Sequence, residues 1–149
     1  MIINKILGNR HDFDLKNKNI DTVNIEWYEV NKKILRKTSK LGKEIGMSFE
    51  KPQKLNDGDV LYMNEKEAIL INIPESEAIV IEPKSMIDMG KACYEIGNQH
   101  IPIFLEEDSV IVPYEEPIMK LLDKRGFAPK RVLKKLVNGL ECHKHHHVH

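Results

Sequence analysis

The sequence predicts an α+β protein: a small all-β domain, then a ferredoxin-like βαββαβ domain, then a disordered histidine-rich tail. Three observations carry that expectation. Up to Pro74, apolar residues alternate with polar ones in short runs broken by turn residues, the period of strands. Beyond Pro74, similar runs are interleaved with stretches whose apolar residues recur at steps of three and four, the period of a helix. Finally, five of the seven histidines fall in the last seven positions, beside a single aliphatic residue. The expected segments are therefore 1–74, 75–138 and 139–149.

In the first segment, Val23, Ile25 and Trp27 alternate with Asn24, Glu26 and Tyr28, as in a half-buried strand. Ile34–Lys37 and Glu44–Phe49 flank Lys40-Leu41-Gly42-Lys43; Gly42 supplies the positive φ of a tight turn, so these two runs make a hairpin. Asn56-Asp57-Gly58-Asp59 is a further turn, followed by Val60–Met63, a polar break at 64–66, and Ala68–Ile73.

Pro74-Glu75-Ser76-Glu77 is a polar junction headed by a residue that cannot donate to a ladder. Ala78–Ile81 is a continuous apolar run, expected of a strand covered on both faces. Ser85 is an N-cap, and Met86, Met89, Cys93, Ile96 and His100 form one helical face ending near Gly97-Asn98. Ile101–Leu105 and Ser109–Val112 flank the acidic turn Glu106-Glu107-Asp108 as a second hairpin. A second helix opens at Glu115-Glu116-Pro117 and closes at Lys124-Arg125-Gly126, with acids, proline, bases and glycine where each is favoured. Residues 129–136 are the last strand. The order is that of the split βαβ motif.

The end, Cys142-His143-Lys144-His145-His146-His147-Val148-His149, buries too little to offset the entropy of ordering it. Its imidazoles and thiol suit nickel, zinc or copper, whereas magnesium and calcium prefer oxygen. Lys144, Val148 and the preceding Cys142 argue against a purification tag.

Composition excludes several classes. With 23 basic and 23 acidic residues the chain carries no net charge, so no broad basic surface recruits nucleic acid. An RNA-binding ferredoxin-like sheet would need exposed aromatics and a basic face; its strands offer Ile103, Phe104, Val110, Ile111 and Val112. Apolar runs such as Ala68–Ile71 are four residues long, far short of the roughly 20 that span a bilayer. The first ten residues lack the apolar core of a secretory signal. A cytoplasmic protein is expected, with Cys93 and Cys142 reduced.

His100 has two readings. A single histidine on an apolar face is ordinarily a core residue with its ring nitrogens satisfied by backbone. In a twofold dimer, however, a residue on the axis meets its own copy, so one His100 becomes two imidazoles that the tail could supplement. Cys93 is no nucleophile for it. Seven helical residues place the pair about 10.5 Å apart at roughly 1.5 Å each. Glu106–Asp108 is most simply a solvated turn. No enzyme is expected.

Leu55-Asn56-Asp57-Gly58-Asp59-Val60-Leu61, Gly97-Asn98-Gln99-His100-Ile101-Pro102, Val112-Pro113-Tyr114 before a helix, and the histidine-rich end together resemble the UreE family of urease accessory proteins, which are nickel metallochaperones. The resemblance runs in order along essentially the whole chain. It implies that residues 1–74 are a peptide-binding module comparable to the substrate domains of DnaJ-type chaperones, and that residues 75–138 bind metal. It further implies a homodimer through the second domains, with both copies of His100 on one Ni(II) ion, and delivery to apo-urease with the GTPase UreG. Residues 101–138 contain no histidine, so auxiliary ligands must come from Cys142, His143, His145, His146, His147 and His149. Zinc and copper compete for such donors. The alternative function is a metal-independent scaffold whose β domain docks a partner while the tail scavenges metal passively.

Overall fold

The computed structural model describes residues 1–140. The chain divides into two compact units, Met1–Pro74 and Glu75 onward. In the first unit, β1 (Ile2–Ile3), β4 (Ile34–Thr38) and β5 (Glu44–Ser48) form a sheet in the order β1-β5-β4. A second sheet, β2-β6-β7-β3, comprises β2 (Gly8–Asn9), β3 (Asn19–Asn24), β6 (Asp59–Met63) and β7 (Glu67–Asn72). The pairs β1–β5 and β3–β7 are parallel.

The hairpin β4–β5 turns through Gly42 at φ +92°, a conformation that costs a side-chain-bearing residue steric strain. Its tip is tied to β3: the Lys40 amide donates to the Thr22 carbonyl at 2.8 Å and the Leu41 amide to Asp21 Oδ1 at 3.0 Å. The turn before β6 places Gly58 at φ +83° and is fixed from inside. Asp59, buried, accepts the Asn56 amide at 2.8 Å and Asn9 Nδ2 at 3.2 Å. Burial pushes its carboxyl above the ordinary range despite those bonds.

Alternation through Trp27 predicts a strand there, and the structure differs. The strand ends at Asn24, and residues Trp27–Glu29 form a single 3-10 turn. Its closure is electrostatic: Glu29 accepts the Glu26 amide at 3.0 Å and Lys37 Nζ at 2.8 and 2.9 Å. Burial, the largest single influence, would raise the Glu29 carboxyl; the hydrogen bonds from Lys37 and the Glu26 amide, with the charges of Lys37 and Lys32, together outweigh it and hold the group below its usual range.

The second unit contains β8 (Glu75–Ile81), α1 (Met86–Asn98), β9 (Phe104–Glu106), β10 (Ser109–Pro113), α2 (Glu116–Lys124) and β11 (Lys130–Lys135). The sheet order is β11-β8-β10-β9, with every neighbouring pair antiparallel. Ile79, Ile81, Val110 and Val112 pack against Ala92 and Ile96 of α1 and Ile118 and Leu122 of α2. The first strand begins at Glu75, where the sequence predicts a polar junction. Glu75 is in register with Lys135, and Arg131 forks onto Glu77 at 2.9 and 2.8 Å. Opposite charges facing each other across two strands let this polar stretch join the ladder. The run 78–81 is covered unequally: Ala78, Ile79 and Ile81 are buried and Val80 is half-buried.

Residues 136–140 belong to this unit, whereas the sequence assigns 139–149 to a tail. After β11 the chain leaves the last strand with Leu136 buried. Gly139 forms an antiparallel bridge with Phe104, and the Leu140 amide donates to the Ile103 carbonyl at 2.9 Å. Residues 141–149, including the expected donors Cys142, His143, His145, His146, His147 and His149, lie outside the described residues.

Candidate metal centre

Helix α1 starts at Ser85, whose hydroxyl accepts the Asp88 amide at 3.1 Å. Side chains reach the core from Ala92 and Ile96, with Met89 and Cys93 partly buried beside them. This corrects the predicted stripe at both ends. Met86 is 89% exposed. His100 is exposed, because the helix has already ended.

The ending explains the position of His100. Gln99 is the C-cap, and its amide donates to the Ile96 carbonyl at 3.0 Å. His100 then adopts φ +56°, and its own amide donates to the Gly97 carbonyl at 3.1 Å. A left-handed residue just past a helix satisfies its orphan carbonyls, and glycine usually takes that place. Pro102, shortly after, prevents the helix from resuming. The reversal turns the His100 side chain off the apolar face, so the core reading of this residue fails on exposure.

A second face of α1 is also exposed. Ile87 and Tyr94 are 69% and 72% accessible. Gly90 and Gly97 continue the same stripe at steps of three and four, and a Cβ built on either meets nothing within 4 Å. This face leads along the helix to His100.

Among the described residues no three His, Cys, Asp or Glu side chains stand together as a metal-binding group. His100 is the one imidazole the described part of the second unit offers. Cys93 is not beside it: its Sγ contacts Met89 Sδ at 3.9 Å within the helix–sheet core. His11 is exposed in a 3-10 turn of the first unit. Glu106 pairs with Lys134, and Glu107 and Asp108 are exposed in the turn between β9 and β10. The left-handed setting of His100 and the attachment of residues 139–140 escape sequence reasoning; Asn98 and Pro102 around His100, and the isolated Gly139, are the signals that were present.

Comparison with known proteins defines the class. Residues 3–74 match the model of the UreE urease accessory protein N-terminal domain, and residues 76–149 that of its C-terminal domain. The chain is 44% identical over 139 residues to the urease accessory protein UreE of Flavobacterium johnsoniae, covering 93% of this chain and 84% of that protein. It is 42% identical to the UreE of Acetivibrio thermocellus over 149 residues, 100% of this chain and 97% of the relative. The UreE of Helicobacter pylori is 39% identical over 145 residues, 95% and 85% of the two chains. A two-domain accessory protein of urease maturation, and not an enzyme, is the class these features define. The chain belongs to the UreE family.

Proposed function

We propose that the chain is a nickel metallochaperone: a cytoplasmic homodimer that holds Ni(II) on His100 of both chains and passes it to apo-urease. The observation that carries this reading is His100 itself, an exposed imidazole held in a left-handed conformation at the end of α1. A non-glycine residue kept in that region is a strained feature of the kind that clusters at functional sites. The βαββαβ order with its antiparallel sheet β11-β8-β10-β9 supports the ferredoxin-like reading of the second unit. The bare Ile87–Tyr94 face supports dimerisation through it.

A carrier needs a site that releases its cargo. Two fixed imidazoles and several replaceable donors, Cys142 and His143, His145, His146, His147 and His149, allow a partner's ligands to substitute stepwise, whereas a closed four-ligand cage retains its ion. Zinc and copper fit the same donors, so selection for nickel rests on supply and on partners such as the GTPase UreG. The β domain serves as the surface that docks a partner segment.

Urease activation at limiting nickel tests this. A His100→Ala variant that still dimerises is expected to activate apo-urease poorly, with recovery at excess nickel. Full activation at limiting nickel would support a metal-independent scaffold instead.

A further inference from the structure

The charge of the first unit is divided unevenly. Residues 30–55, which hold the β4–β5 hairpin and its flanks, carry eight basic residues and two acidic ones, whereas the rest of residues 1–74 carries five basic and nine acidic. Carboxylates neutralise part of the excess: Lys37 pairs with Glu29 at 2.8 Å and Lys43 with Glu67 at 2.9 Å. Lys33, Arg36, Lys40 and Lys51 are exposed and have no ion-pair partner among the described residues. They lie in the segments that enter, form, turn and leave the hairpin.

The same hairpin presents a bare sheet face. In register, Ile34 lies beside Ser48, Arg36 beside Gly46, and Gly46 beside Ile2 of β1. Alternation puts these residues on the face opposite Leu35, Ile45 and Met47, which are buried. Ile2 and Ile34 are 74% and 75% exposed. A Cβ built on Gly46 would stand 3.0 Å from Ile2 Cδ1, so the Ile2 side chain lies across the glycine and forms an apolar floor. Where the chain leaves β1, an open cleft of about 660 Å³ is lined by Ile2, Asn4, Lys5, Ser48 and Glu50. Strand β1 is also the outermost strand of its sheet. Because the Met1 carbonyl accepts the Gly46 amide at 2.8 Å, the peptide groups of Ile2 face away from β5, toward that edge. Basic residues around a strand edge discourage unwanted pairing, but an acidic strand is attracted by them.

We propose that this face binds an extended, acidic segment of a partner protein, with an apolar side chain seated on Ile2 and Ile34 and carboxylates met by Arg36 and the lysines around it. The inference rests on the reading above that the β domain docks a partner segment, and it is independent of nickel. Backbone pairing along the β1 edge supplies affinity, and the uncompensated charge selects the partner.

The test is fluorescence anisotropy of the full chain with three labelled decapeptides, in which leucine alternates with glutamate, serine or lysine. The glutamate peptide should bind about tenfold tighter than the lysine peptide. Arg36→Glu should weaken it about fivefold, whereas Lys16→Glu, the same change of charge at an exposed residue outside 30–55, should leave it unchanged. Ile34→Ser should weaken it as well, and reads the same face should Arg36→Glu fail to fold. His100→Ala should bind the peptide as the parent does, so failure of the nickel reading leaves this result standing. Equal affinity for all three peptides would overturn the acidic assignment while docking survives; binding of none would overturn both. Equal losses in Arg36→Glu and Lys16→Glu would overturn the proposal by making net charge the cause. Displacement of the peptide by a uridine oligonucleotide at lower concentration would overturn it by assigning the face to nucleic acid.

Discussion

The amide of His100 donates to the carbonyl of Gly97 at 3.1 Å, closing a left-handed turn at the end of α1 with a histidine where helices usually place glycine. Such a backbone costs an L-residue about 1–2 kcal/mol, of which the greater chain entropy of glycine would return part. His100→Gly should therefore be more stable than the parent by about 0.5–1 kcal/mol. Urea denaturation measures it; a loss of stability would mean that the imidazole contributes packing its exposure does not reveal.

The bare face of α1 gives the next expectation. Ile87 and Tyr94 are exposed on a stripe that includes Gly90 and Gly97, and buried against a second copy they would exclude a charge. Tyr94→Glu should leave the far-ultraviolet spectrum unchanged and convert the proposed dimer to monomer by light scattering. A Tyr94→Glu chain that stays dimeric would place the contact elsewhere.

Two buried carboxylates of the first unit should respond oppositely to acid. Glu29, despite its burial, is held low by Lys37; a lowered pKa means the folded state binds fewer protons, so its contribution is complete above the ordinary value of 4.5 and lost as pH falls through the folded value. Asp59 is raised by burial above 3.8, so the stability it confers declines as pH rises through the interval from that value to its folded one. Glu29→Gln should cost about 1–3 kcal/mol at neutral pH by leaving Lys37 with a weaker acceptor, and the cost should shrink below pH 4. For Asp59→Asn the penalty should grow toward acid. Denaturation midpoints between pH 3 and 7 check both signs.

What the sequence makes legible is what local chemistry decides. Gly42 and Gly58 mark turns because no other residue adopts their φ cheaply, and both hairpin strands of the first unit follow from period-two burial. The βαββαβ order of the second unit follows from changes of period. Contacts between distant segments are not legible in either one alone. Glu75–Glu77 looks like a junction until Arg131 and Lys135 are set against it. Trp27 looks like strand until Lys37 is seen drawing Glu29 inward. Extrapolating the helical period over Met86 and His100 fails because a period carries no information about where a helix stops, and it passes over Ala92, a small residue fully buried against the sheet. His100 is singled out in the sequence by its Gly97-Asn98-Gln99 and Ile101-Pro102 neighbours; its exposure past the helix end is visible only in the fold.

Equilibrium nickel binding, with mass from light scattering, on a chain ending at Leu140 and on its His100→Ala variant, tests the proposed shared site on His100 most directly. One ion per dimer in the first and none in the second is the expected result. Equal binding by both would contradict it and place the ligands elsewhere within residues 1–140; binding by neither would contradict it and move the chemistry to the residues beyond Leu140.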